Sequence, residues 1–392
     1  MKNKQLALTS LMLVLASSSA ALATNGDATL GITALQWARG GAIVASPVDI
    51  PSMMYNPAAV GEVKVNKAGF DMSLGVLNAN RSISIGPNST ESDSNNYLAM
   101  GVGAVTKISD KLSFGMTAGG VAGLGVDFAG GTLLPASGTA VVSTKSLFKI
   151  VPALAYAATD KLTIGVSPQI AYQSMALRTP AFTMPQTGVF GIGAAIGAIY
   201  HITPTLQAGL SYTSKTFMDE YSFNGIVGAT EGTYDMQLDA PQSLSGGIAY
   251  RPMPKLLIEA DIKWVDHSSV MDSVVLKNAA GTTVQTLAFG WKDQIVYSLG
   301  ADYEAMPGLT LRAGYNYGKS PIGSEDVLQN YGSIAVIEHH LSLGLTKQWS
   351  PAIATSLSYT HGFNNEVTSS INPAVSIDAS QNITYLQLSF RF

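Results

Sequence analysis

From Leu256 the chain alternates with period two: Leu256, Ile258, Ala260, Ile262 and Trp264 share one face, while Leu257, Glu259, Asp261 and Lys263 share the other. A helix scatters charges spaced this way around its girth. A strand sends alternate side chains to opposite sides and so collects them on one. The same split separates Ile295, Tyr297, Leu299 and Tyr303 from Lys292, Gln294, Ser298 and Asp302. It recurs with Leu309, Leu311, Ala313 and Tyr315 against Thr310, Arg312, Gly314 and Asn316, and with Ile353, Thr355, Leu357 and Tyr359 against Ala354, Ser356 and Ser358. The polar face is rich in Gly, Ser and Ala, which suits a crowded interior better than the Lys- and Glu-rich outside of a soluble sandwich. Tyr315, Tyr317, Tyr359 and Trp264 gather towards strand ends, where an interfacial girdle needs them.

Only 12% of residues are charged, and mean hydropathy is positive, yet after the N-terminus no stretch offers the 18 or more continuous apolar residues of a spanning helix. Hydrophobic without helices is the signature of a membrane barrel, whose lipid- and lumen-facing residues dilute one another. Turn signals recur at Ser109-Asp110-Lys111, Thr159-Asp160-Lys161, Thr203-Pro204-Thr205, Arg251-Pro252-Met253-Pro254, Met306-Pro307-Gly308 and Trp349-Ser350-Pro351, about 43 to 54 residues apart. Six short turns join twelve strands in pairs, and one further strand at each end makes fourteen. The predicted fold is all-β, an antiparallel transmembrane barrel over residues 67–392. In the closing segment Tyr385–Phe392, the apolar residues Leu386, Leu388, Phe390 and Phe392 share a face. A barrel must pair its last strand with its first, because open backbone groups in lipid are unsatisfied. A terminal aromatic at Phe390 and Phe392 also resembles the signal read by the outer-membrane barrel-assembly machinery.

Residues 1–23 read as a cleavable secretory signal: Lys2 and Lys4, an apolar run from Leu6 to Ala16, and the small-x-small site Ala21-Leu22-Ala23. The expected location is the outer membrane of a Gram-negative bacterium, among lipid and lipopolysaccharide. Zero cysteines fit an oxidising compartment, though weakly. A net charge of -4 with no basic cluster argues against nucleic acid. Nothing calls for a cofactor or a metal.

Residues 24–66 lack the alternation but are too apolar for a disordered tail. Short helical pieces among turn formers predict either a plug inside the barrel or a periplasmic extension. Here the sequence resembles the outer-membrane transporters of long-chain fatty acids and aromatic hydrocarbons, the FadL/TodX-like (OMPP1) family. The resemblance is carried by Trp37 ahead of Arg39-Gly40-Gly41-Ala42, then Asn56-Pro57-Ala58, which look like the family's N-terminal hatch. It continues with Tyr250-Arg251-Pro252, Trp291-Lys292-Asp293 before Ser298-Leu299-Gly300, and Leu311-Arg312-Ala313-Gly314-Tyr315 before Ser320-Pro321. Ala45-Ser46-Pro47-Val48-Asp49 stands where the family commonly has an acidic-alanine stretch.

The resemblance implies a plugged, monomeric barrel whose loops capture a hydrophobic ligand, pass it to an internal pocket and release it sideways through a kinked early strand. A fatty acid gains about 0.8 kcal/mol per methylene on leaving water, so a wet pore is a barrier to it. Gly119, Gly120, Gly123 and Gly125 in the third strand are the candidate opening, since glycine inside a strand marks a bulge or broken pairing; packing beneath the hatch explains them equally. Lys292, matching the family's Lys-Asp pair, is the first candidate to hold a carboxylate, with a rim ion pair as the alternative; Arg312 is the second, with an interior ion pair as its alternative. Phe128, Leu133 and Leu134 in the apolar stretch Val126–Val142 are candidates for an outer capture site.

The pattern fits three other kinds of protein less well. An enzyme needs an organised nucleophile and base, but His267-Ser268 and His339-His340 are neighbours whose side chains diverge on a strand. A general diffusion porin needs opposed charged rows and has no use for an apolar plug. An adhesin needs longer loops.

Overall fold

A computed structural model describes residues 24–128, 141–179 and 181–392. The leader expected at residues 1–23 lies outside them, as do Leu133 and Leu134. The described strands form one closed antiparallel sheet of fourteen spanning strands. Closure is made between the first, Ala68–Ile85, and the last, Val375–Arg391, in register from Gly69↔Arg391 to Ile85↔Val375. This seam leaves neither edge open to lipid.

Each of the six anticipated turns joins two strands at the periplasmic rim. In two of them a hydroxyl closes the turn: Ser109 Oγ accepts from the Leu112 amide at 3.2 Å, and Thr159 Oγ1 from that of Leu162 at 3.0 Å. The opposite connections are longer and carry extra strands, such as Tyr221–Val227 with Thr230–Met236, above the membrane.

The alternation sets the wall. Ile258, Ile262, Leu299, Tyr297, Leu343 and Leu357 are exposed on the lipid face, while Glu259, Asp261, Asn316, Ser342 and Ser358 are buried inward. Residues 24–66 fill the lumen with short helical turns at Ala34–Ala38, Ile50–Met54 and Ala59–Glu62. Asp49 caps the second of these, its carboxylate accepting from the Ser52 amide at 3.1 Å. Burial and the neighbouring Asp71 push that carboxyl above its ordinary range. Trp37 is fully buried and stacks on Tyr385 of the last strand at 5.9 Å. Ile50, Met53 and Val60 pack against Val105 and Ala153 of the wall.

Candidate functional site

The hatch is held by wall carboxylates. Arg39 donates from Nε and Nη2 to both oxygens of Asp302, at 2.8 and 2.6 Å, and from Nη1 to Glu259 at 3.0 Å and to the Ser46 carbonyl at 2.7 Å. Glu259 in turn accepts from the amides of Ala45 and Ser46, and Asp261 from those of Ile43 and Val44. The charges that parity placed on one strand face thus grip the hatch backbone, and the departure at residues 45–49 lies inside this grip. Gly40 lets the chain turn away after Arg39: its φ is +61°, and a Cβ there would sit 2.8 Å from the Tyr315 nitrogen. Asn56 fixes the next segment, donating to the Val44 carbonyl at 2.8 Å and accepting from the Ala58 amide at 3.1 Å. Pro57 and Ala58 lie against Gly165, where any side chain would collide with their backbone. Such paired, hydrogen-bonded charges are costly to break singly, so the plug is a fixture rather than a loose tail.

Of the two candidate carboxylate holders, Arg312 belongs to this clamp: its Nε lies 3.1 Å from Asp302 and its Nη1 donates to Thr346. Lys292 precedes its strand, which begins at Gln294, so the parity that put it on the lumen face does not extend to it. It is 58% exposed at the outer rim, 3.8 Å from Glu325 and 3.7 Å from Asp326.

Above the hatch is a cavity of about 470 Å³, lined chiefly by apolar side chains, among them Leu124, Val141, Met175, Met236, Leu238 and Phe289. Phe128 is buried in the same apolar cluster, its amide bonded to the Val141 carbonyl. Among the described residues one cation reaches this cavity, Lys145 on the fourth strand, Val142–Ala157. Its Nζ lies 2.7 Å from Asp27 of the hatch, with side-chain exposures of 7% and 5%. Burial alone would raise the Asp27 carboxyl, but the Lys145 ammonium and its hydrogen bond, together with the other groups around it, hold it below its usual range. His267, in the outer connection after the strand Leu256–Val265, is fully buried, edge-on to Trp291 at 5.4 Å, and burial lowers its pKa to about 4. It is therefore a neutral packing group. The sequence held a signal for Lys145, because it shares an inward face with Leu147 and Lys149, but none for Asp27.

The third strand, Leu112–Asp127, pairs with the second only as far as Gly101↔Gly119. Beyond a register shift between Gly120 and Ala122, its remaining length pairs with the fourth strand. The place of the missing partner is taken from inside by the hatch: the Thr29 amide donates to the Val121 carbonyl at 3.0 Å, and that of Gly123 to the Asp27 carbonyl at 2.8 Å. The second strand is left, at Tyr97–Met100, with a partner on one side among the described residues. Gly119 serves the hatch, since a Cβ there would press on Ile32, whereas Gly120 lies at the shift itself.

A closed barrel with a clamped plug, an apolar cavity above it and an interruption in the wall defines an outer-membrane transport protein for hydrophobic compounds. A model of the family described as outer membrane protein transport protein (OMPP1/FadL/TodX) matches residues 12–384, and the chain belongs to that family of transport channels, which are not enzymes. A comparison with curated proteins gives no match. Among solved structures, the toluene transporter TodX of P. putida aligns with a TM-score of 0.79 at 20% identity, over 92% of this chain and 99% of that one. The toluene transporter TbuX of Ralstonia pickettii aligns with a TM-score of 0.73 at 20% identity, over 92% and 98%. A Pseudomonas aeruginosa FadL homologue aligns at 0.79 with 14% identity, over 94% and 100%. At these identities the likeness establishes the fold.

Proposed function

We propose that this protein takes up amphiphiles with an apolar tail and a carboxylate head, long-chain fatty acids above all. They enter from the outer loops, bind in the apolar cavity and leave through the wall beside the third strand. The observation that carries this reading is Lys145: a buried ammonium in a greasy cavity, neutralised by a carboxylate from the hatch, is superfluous for a hydrocarbon and suited to an acid. The cavity volume falls within the range of about 300–1,000 Å³ of small-molecule sites. Sideways release keeps the tail away from water throughout.

A charged hydrogen bond contributes about 1.5–3 kcal/mol, so Lys145→Gln should weaken palmitate binding roughly 10- to 100-fold and leave toluene binding unchanged. Equal palmitate affinity in the variant sinks the head-group role. A second reading, uptake of aromatic hydrocarbons, draws on the two matched structures described as toluene transporters. Wild-type protein that binds toluene but not palmitate selects it. For the exit, a short bis-maleimide bridge between cysteines placed at Met100 and Gly120 should stop uptake while sparing binding. Undiminished uptake moves the exit elsewhere.

A further inference from the structure

The periplasmic rim carries charge that the transport path does not use. Lys64 and Lys67 stand just before the first strand, Lys107 ends the second, Asn96–Lys107, Lys111 precedes the third, and Lys161 precedes the fifth, Leu162–Thr179. Backbone bonds set them side by side. The Lys107 amide donates to the Lys67 carbonyl at 2.9 Å, the Ala157 amide at the end of the fourth strand to that of Lys111 at 2.8 Å, and the His201 amide of the sixth, Phe182–Thr203, to that of Lys161 at 2.8 Å. The lysines therefore form one arc beneath the first six strands. All five are exposed, and among the described residues none forms an ion pair, although Asp110 and Asp160 share their turns. Glu62, at the same rim, is engaged by Thr163 and His201. Five lysines against two aspartates leave the arc at +3. The outer end has the opposite sign: between the strands Leu206–Thr213 and Ser243–Met253, the connection carries Asp219, Glu220, Glu231, Asp235 and Asp239 against Lys215 alone.

Tyrosines fix the level of the arc. Leu112, next to Lys111, pairs with Tyr156, and Leu162, next to Lys161, pairs with Tyr200; both rings are exposed on the lipid face. Tyrosine gathers where hydrocarbon gives way to headgroups. Phe70, Phe114 and Ile164, exposed on the same face, follow Lys67, Lys111 and Lys161 by three residues, about 10 Å along a strand. A lysine stem lies along such a surface while its ammonium stays in water. We infer that the arc is a docking surface for anionic phospholipid headgroups of the periplasmic leaflet, with phosphatidylglycerol as the matching chemistry. Its phosphodiester accepts hydrogen bonds from the ammonium groups, and its own acyl chains cover the apolar wall above. A soluble acidic protein or the cell-wall polymer would answer the charge alone and leave the adjoining apolar belt unused. The inference requires the outer-membrane location and not any one transported compound.

The test equilibrates the full-length protein with vesicles of equal phosphatidylglycerol and phosphatidylethanolamine and identifies the phospholipid it retains on extraction by native mass spectrometry. A lysine near an anionic surface contributes about fivefold, so wild type should retain phosphatidylglycerol over phosphatidylethanolamine by at least about that factor. Lys64→Gln, Lys67→Gln, Lys107→Gln, Lys111→Gln and Lys161→Gln together should bring the ratio within about twofold of unity, as should molar salt, which screens charges beyond about 3 Å. Lys255→Gln/Lys347→Gln, elsewhere on the same rim, should keep more than half of the preference. Heat-dependent mobility in SDS gels shows that each variant is folded. Folded wild type without the preference overturns the inference, as does a five-lysine variant as selective as wild type. An equal loss in the Lys255/Lys347 control also overturns it, since that marks total charge rather than the arc. Wild type that ignores phosphatidylglycerol but sediments with purified peptidoglycan gives the arc to that polymer and refutes the lipid.

Discussion

Replacing Arg39 by Met tests whether the hatch is held by charge. Met keeps the length and apolar stem of the side chain but removes its four donated hydrogen bonds, two to Asp302, one to Glu259 and one to the Ser46 carbonyl. Removing one partner of a buried ion pair is destabilising by about 3–5 kcal/mol, because the other charge is stranded. Here the survivors are partly looked after. Asp302 keeps Arg312 at 3.1 Å, and Glu259 keeps the amides of Ala45 and Ser46. The low end of the range applies, about 3 kcal/mol, which shifts a seated-to-unseated equilibrium on the order of a hundredfold. In planar bilayers, wild-type protein should be nearly silent and Arg39→Met should show frequent ion-conducting openings. Folding of the barrel is checked by its heat-dependent mobility in SDS gels. A folded variant as silent as wild type would falsify the view that this clamp seats the hatch. Adding Glu259→Gln, which removes the carboxylate left without a cation while Asp302 keeps Arg312, should lower the opening frequency again.

Asp27→Asn leaves Lys145 without its internal carboxylate, so palmitate affinity should rise about tenfold in a binding titration while toluene affinity stays level; a fall for palmitate contradicts the competition. Burial depresses the His267 pKa to about 4 from 6.5, so the folded state binds this proton more weakly than the unfolded one. The stabilisation from the neutral ring is complete above pH 6.5 and is lost as pH falls, reaching up to about 3 kcal/mol near pH 4. Thermal midpoints measured from pH 7 to pH 4 should therefore drop less for His267→Gln than for wild type, and parallel curves count against it. Phe392 donates its amide to the Ala68 carbonyl at 2.8 Å and leaves its ring 64% exposed at the seam. Phe392→Ala should slow assembly of the folded form in cells, followed by pulse labelling, without changing palmitate affinity once folded.

The wall was legible because a strand's period is short and strict. Glu259, Asp261 and Lys263 face inward as their parity requires, and the six turns carry residues that make turns anywhere. Parity holds only inside a hydrogen-bonded ladder, which is why it misplaced Lys292, two residues before Gln294. The hatch was visible as a place where alternation stops. Its contacts were not, because Arg39 reaches Asp302 across 263 positions, and no local pattern encodes such a pairing. Asp27 was hidden for the same reason. The interruption in the third strand was half visible: glycine marked the spot, but its sequence does not reveal that the hatch supplies the missing backbone partners.

The clamp has a consequence at the scale of the cell. Charges that line an open lumen attract and sort ions, but here Arg39, Glu259, Asp302 and Arg312 satisfy one another around the plug. The expected consequence is that extra copies of the protein raise the uptake of hydrophobic compounds without making cells more sensitive to polar antibiotics.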